Sequence, residues 1–183
     1  MKSVIFNETD IHSLLADRKT IFRVPGKLLK SEPPFTDSKM YPPYLPGEVI
    51  FVREAFGLID LRTGSSIIAG PPPKGNEWND FAIIHQATMS DFEESFVYKW
   101  FSPVYMPEWT ANFKLSIIDV RKEHLQDITE EDAIREGLDP KLRKGYGFRY
   151  VFGSFWNFRY AQKPEYQWEA NPWVWRNEFD RVK

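Results

Sequence analysis

The stretch "LLADRKTIFRV", residues 14–24, decides how the chain is read. Ile11, Leu14 and Leu15 recur at i, i+3 and i+4, the apolar stripe of an amphipathic helix, with Thr9 or Asp10 as the expected N-cap. "TIFRV" is β-branched and aromatic and reads as a strand. Arg18, Lys19 and Thr20 fall at the junction, with Arg23 on the strand. A helix-to-strand junction fixes such side chains at the end of a rigid element, where they converge without belonging to either core face.

The elements on either side follow from pattern. "SVIF" (3–6) reads as a short strand before the helix. Residues 24–47 hold much of the proline and read as irregular chain over the core. "GEVIFVREAFG" is a strand after a Pro-Gly turn, with "LIDLR" as a candidate hairpin partner. Residues 63–80, rich in Gly, Pro and Asn, read as an enlarged loop. "FAIIHQA" and "SFVYKW" are candidate strands, and "PEWTANFKLSIIDVRKEHL" carries the longest β signal, with Phe113, Leu115, Ile117 and Asp119 on one face. "DITEEDAIREGL" is a short helix opened by Thr129 with Asp132 three residues on, and stopped by Gly137. "YVFGSFWNFRY" has helical spacing, and "NPWVWRNEFDRV" is a strand with bulk at Trp173, Trp175 and Phe179. The sum is an α+β fold in one domain, 1–183: a small mixed β-barrel with short flanking helices.

Composition excludes several classes of function. The chain has no Cys, so disulfides and thiolate chemistry are out. His12, His85 and His124 lie far apart in three different elements, so no metal site and no cofactor are expected. There is no Gly-rich phosphate loop and no nucleophile elbow around Ser154. A net charge of −2 argues against a duplex-coating protein and restricts any nucleic-acid contact to a local patch. No apolar run is long enough for a membrane helix, and "MKSVIFNETDIHSLL" is no signal peptide, so a cytoplasmic protein is expected. The 7 Trp exceed what a core of this size needs and suggest stacking surfaces.

Local patches can be named. "KLRKGYGFR", 141–149, mixes Lys141, Arg143 and Lys144 with Tyr146 and Phe148, the best basic-aromatic run in the chain. Arg18 and Arg23 can grip phosphate through a bidentate fork. Trp109, in a Pro-marked turn, is a candidate base-stacking face. In "FVREAF", Arg53 and Glu54 point to opposite strand faces, so one faces inward and needs a partner.

Five segments in order resemble the ASCH domains of the PUA-like superfamily, in their phage and prophage branch. These are "ADRKTIFR", "LPGEVIFVREAF", the run "VYMPEWTANFKLSIIDVRKEHLQDITEEDAIREG", "FGSFWNF" and "NPWVWRNEF"; residues 63–100 fall outside the match. The resemblance implies a pocket that recognises a nucleotide or single-stranded RNA, modified bases included. Its ligand-binding residues would be Arg18, Lys19, Thr20, Phe22, Arg23, Trp109, Glu136, Lys141, Arg143 and Lys144. Some ASCH members are described as ribonucleases, and others resemble an amidohydrolase acting on acetylated cytidine. The second reading is therefore a hydrolase acting on an acylated nucleoside or RNA, with Lys19 and Glu136 as catalytic residues activating water. A third is a phage accessory protein that binds a host protein. The family's nucleophilic Thr is here Phe22, whose ring cannot attack a carbonyl, so no covalent acyl-enzyme is expected.

Overall fold

A computed structural model describes residues 1–26, 41–66, 71–88, 99–142 and 145–182. Much of the proline-rich stretch, most of "SFVYKW", part of the 63–80 loop, and both Arg143 and Lys144 lie outside them. The fold is α+β, with its strands in two sheets, and no ladder closes either sheet into a barrel among the described residues. The chain divides into two compact units, Met1–His12 with Ile50–Leu115, and Ser13–Val49 with Ser116–Val182.

In the first unit β1 (Ser3–Ile5) runs parallel to β3 (Val49–Arg53), with Val4 opposite Val52. Helix α1 (Glu8–Leu15) follows β1 and passes into the second unit at Ser13. Its N-cap is Asn7, not Thr9 or Asp10: Asn7 Oδ1 accepts from Asp10 N at 2.8 Å, while an Asp10 carboxylate oxygen accepts from Asn7 N at 3.2 Å. That reciprocal pair satisfies two otherwise orphaned amides.

"LIDLR" pairs differently from the hairpin expectation. β4 (Phe56–Asp60) lies between β5 (Ser65–Ser66) and β6 (Phe81–His85), antiparallel to both. The sheet is held by Phe56, Leu58, Phe101 and Met106, all buried; Phe56 and Phe101 stack at 5.4 Å and exchange backbone hydrogen bonds. Burying such side chains contributes roughly 1.5–3 kcal/mol each.

The second unit is built on β7 (Lys114–His124), β8 (Trp173–Val182) and β2 (Ile21–Pro25), in that order; β7 enters it at Ser116. β2 and β8 are antiparallel, with Ile21 opposite Glu178, Phe22 opposite Asn177 and Arg23 opposite Arg176. Helices α2 (Glu130–Arg135) and α3 (Phe148–Arg159) complete it. Ile128, Ala133, Phe148, Phe152, Trp156 and Val174 form its core. Thr129 caps α2, its hydroxyl accepting from Asp132 N at 3.0 Å. Gly137 ends the turn after α2 at φ +104, where an added Cβ would sit 2.6 Å from Ser13 Cβ, so only glycine fits.

Candidate functional site

β2 is buried on both faces, and alternation sends its side chains to different environments. Phe22 points to an aromatic cluster, edge-on to Tyr44 and tilted against Phe179, each at 5.7 Å. Burial and the nearby Glu48 carboxylate push the Tyr44 phenol up to about 12. Arg23 points the other way, toward α2.

There it joins an ion network in which Lys19, Arg23, Arg135 and Arg176 meet Glu123, Asp132, Glu136 and Glu178, with Arg121, 3.7 Å from Glu123, and Asp119, 4.0 Å from Arg176, at its edge. Lys19 Nζ donates to the Glu136 backbone carbonyl at 2.6 Å and to Glu136 Oε2 at 3.1 Å. Arg23 Nη1 donates to Glu136 Oε1 at 3.0 Å, Nη2 to Asp132 Oδ2 at 2.7 Å, and Nε to Glu123 Oε1 at 2.7 Å. The register sets Arg23 directly across from Arg176, a destabilising pairing of like charges. Asp132 resolves it: one carboxylate binds Arg23 and also accepts from Arg176 Nε and Nη2 at 3.0 and 3.2 Å. This is why Asp132 does not fold back on its own helix as a capping box would.

The charges set the proton affinities. Burial works to lower the Arg23 guanidinium, but Glu136, Glu123 and Asp132 outweigh it and hold it above its ordinary value. Burial works to raise the Asp132 carboxyl, but Arg176 and Arg23 hold it below the usual range. The Glu178 carboxyl is likewise held down, against burial, by Arg135 and Arg176.

The structure therefore brings together Lys19, Thr20, Arg23 and Glu136 from the resemblance-derived set. Thr20 Oγ1 accepts from Arg135 Nε at 3.1 Å, and Thr20 N donates to Arg135 O at 2.9 Å. The Lys19 and Glu136 side chains are only 1% and 6% exposed, and each Glu136 oxygen accepts from one cation. Phe22 lies on the opposite face of β2 from Arg23 and is core. Arg18 is half-buried, held at the end of α1 by its amide donating to Ser13 O at 2.9 Å; its Nε has no partner among the described residues. Arg143 and Lys144 lie outside the described residues.

Lys141 is exposed. Beyond it, Tyr146 and Tyr150 stack at 4.8 Å with planes 22° apart. They are 59% and 63% exposed, and Phe158 on the same side of α3 is 85% exposed. Tyr150, Ser154 and Phe158 follow one another at i, i+4 and i+8 on the exposed side of α3, Tyr146 lies two residues before the helix, and Phe148, Phe152 and Trp156 face the core. Phe148, taken from sequence as part of the patch, is thus interior. In the first unit, Trp109 is 67% exposed and meets Trp78 edge-on at 6.0 Å. Trp78 lines an open cavity of about 470 Å³ with Arg53, Lys74 and Tyr105.

Sequence reading missed the partners of Lys19 and Arg23 apart from Glu136. Asp132, Glu123 and Arg176 meet only through strand register, which no local spacing encodes. It also left open which of Arg53 and Glu54 faces inward; Glu54 does, and Arg53 donates to Val104 O at 2.7 Å. Among the described residues no group of His, Asp and Glu is placed to hold a metal ion, and no helix is long and apolar enough to cross a membrane. Comparison of the chain with family models, with curated proteins and with solved structures finds no match.

Proposed function

We propose that the chain is an ASCH-type, PUA-like domain that binds single-stranded RNA or a nucleotide on the exposed aromatic face of α3. The observation that carries the binding is the Tyr146–Tyr150 stack. Two aromatic rings held parallel in solvent, with Phe158 further along the face, offer π-surfaces and no core to cover them. Base stacking on such rings is worth about 1–3 kcal/mol per base and tolerates any sequence. Lys141, exposed and five residues before Tyr146 in sequence, is the cation proposed to meet phosphate. Supporting the ASCH assignment, the "ADRKTIFR" and "EDAIREG" segments meet at the Lys19–Glu136 ion pair, the pairing that the resemblance implies.

The ion network is then the scaffold of the site and not its ligand contact. It locks the helix-to-strand junction to α2, and its charges cancel internally. With a net charge of −2 and few cations in the patch, affinity is modest and falls with salt. Titrating short RNA and DNA oligomers at two salt concentrations tests the proposal. The expected result is binding at the lower salt that Tyr150→Ala weakens by about 1–3 kcal/mol with unchanged thermal stability. Absence of binding to either polymer or to nucleotides at low salt, or binding untouched by Tyr150→Ala, overturns it.

A further inference from the structure

Strand alternation at the end of β3 sends Arg53 and Glu54 to opposite faces. Glu54 is buried, with Asn112 Nδ2 at 3.4 Å and a poorly aligned His85 Nδ1 at 3.3 Å near one oxygen, and no described partner on the other. Arg53 is half-buried and lines the cavity of about 470 Å³ in the first unit. Its Nη1 donates to Val104 O at 2.7 Å. That bond seats the guanidinium against the turn Pro103–Tyr105, whose last two residues also line the cavity. Arg53 Nε is sealed from solvent and out of an occupant's reach. Nη2 is not sealed and has no acceptor among the described residues.

Lys74 lines the same cavity, exposed and without an ion pair among the described residues. Two cations thus line it, and among the described residues no carboxylate does. The carboxylates of the flanking turns are engaged outside it: Glu77 accepts from Lys74 N at 2.9 Å and Glu108 from the Met1 amino group at 3.0 Å. The remaining wall is apolar and aromatic, with Trp78, Tyr105, Met106 and prolines. Phe56 and Trp109, each at 6.0 Å, hold the Trp78 indole, and Tyr105 is exposed. The volume exceeds that of a lone phosphate or carboxylate and falls in the small-molecule range.

We propose that this cavity binds an aromatic anion: a planar ring against Trp78 and Tyr105, joined to a phosphate or carboxylate that Arg53 Nη2 receives in the field of Lys74. A guanidinium gives a directed, charge-assisted hydrogen bond, and an exposed ammonium adds attraction without fixing geometry. A cleft lined by one sign of charge with apolar walls concentrates the opposite sign. The site lies in the first unit and does not rest on binding at α3.

The test is an NMR titration of the full chain with two matched pairs: adenosine monophosphate against adenosine, and indole-3-acetate against indole-3-acetamide. Each pair keeps the ring and removes the negative charge. Saturable shifts of the Trp78 indole and of the Gly75 and Tyr105 amides are expected with one or both anions. Tyr150→Ala, which tests the α3 reading, should leave these shifts unchanged. If the nucleotide alone acts, the anion is a phosphate; if indole-3-acetate alone acts, it is a carboxylate; if both act, either group on a ring suffices. The neutral member of an active pair should bind about tenfold more weakly, because the charge-assisted contact is lost. Arg53→Gln should weaken the active anion by about tenfold, and Lys74→Gln, at an exposed position, by about threefold. Should Arg53→Gln not fold, Lys74→Gln and the matched pairs decide. No shift at these three groups with either anion at millimolar concentration overturns the site. So does a neutral probe matching its anion, loss of the shifts in Tyr150→Ala, or undiminished binding in folded Arg53→Gln or Lys74→Gln.

Discussion

Glu136 and Glu54 are both buried carboxylates, and the protein treats them in opposite ways. Glu136 has Lys19 on one oxygen and Arg23 on the other. Glu54 has a distant amide and an ill-aligned imidazole on one oxygen and nothing described on the other. Burial alone therefore says little about function. A satisfied buried charge is architecture, held because removing any member strands the rest. An unsatisfied one raises the question of what completes it. Of the two, Glu136 is the one that the family resemblance names as a site residue, and it is of the first kind.

The largest effect should come from breaking the satisfied network. Arg23→Ala leaves Glu136, Asp132 and Glu123 without their shared donor. Breaking a buried pair from one side costs about 3–5 kcal/mol, and urea unfolding should show a loss of that size. A loss under about 1 kcal/mol, the range of exposed pairs, would mean that water already reaches the cluster and would blur the contrast with Glu54.

Acid should act on the same network more gradually. The Asp132 and Glu178 carboxyls are depressed in the folded protein. A group whose folded value lies below its unfolded one stabilises above the unfolded value and loses that contribution as pH falls through the folded value. The urea midpoint should thus hold from neutrality to about pH 5, then fall below about pH 4, the ordinary carboxylate range. Asp132→Asn should lower stability at neutral pH and flatten part of that acid slope. An unchanged slope would show that Asp132 does not titrate differently in the two states.

Glu54 should respond with the opposite sign. Glu54→Met removes a poorly compensated charge and keeps much of the side-chain volume. Exchanging an under-satisfied buried polar group for an apolar one is neutral or stabilising, here by about 1 kcal/mol in urea unfolding. Destabilisation by several kcal/mol would mean that Glu54 is as fully engaged as Glu136, and the two carboxylates would no longer differ in kind.

The legible parts of the molecule were those written in local pattern. Helix α1, the strand "TIFRV", the long strand β7, the Thr129 cap, the Gly137 stop and helix α3 all follow from periodicity and capping chemistry. The pairing of "LIDLR" was not, because strand partners are chosen by the sheet and not by the strand. Lys19 and Glu136 came together only through the resemblance, since they are 117 positions apart. Their burial was hidden for another reason: it requires Arg23, Arg176 and Asp132, and the facing of two arginines is a fact of register. Phe22 read correctly as a group that cannot attack a carbonyl, yet its place in the core follows from strand alternation against Arg23. Of the run 141–149, Tyr146 is on the surface, while Phe148 turns inward where α3 begins.

The smallest effect is expected at the exposed Arg62–Asp60 pair. Arg62 donates to Asp60 through Nε at 3.0 Å, through Nη2 at 2.7 Å and through its own amide at 2.8 Å. These contacts, the side-chain hydrogen bond first, lower the Asp60 carboxyl to about 2. By sign alone, that depression would stabilise the fold above the ordinary Asp value and be lost as pH falls toward 2. But the partners are two residues apart and Arg62 is largely exposed, so the same contact forms in the unfolded chain. The unfolded value is then depressed as well, and little difference remains to be felt as stability. Arg62→Ala should raise the Asp60 value toward the ordinary one, about 3.9, in an NMR titration and leave the urea midpoint where it was. High salt should move the Asp60 value in the same direction in the natural protein, because an exposed pair is screened. A fall in midpoint comparable to that of Arg23→Ala would make exposed and buried pairs equivalent here, and the size of a carboxyl's shift would then measure its worth to the fold.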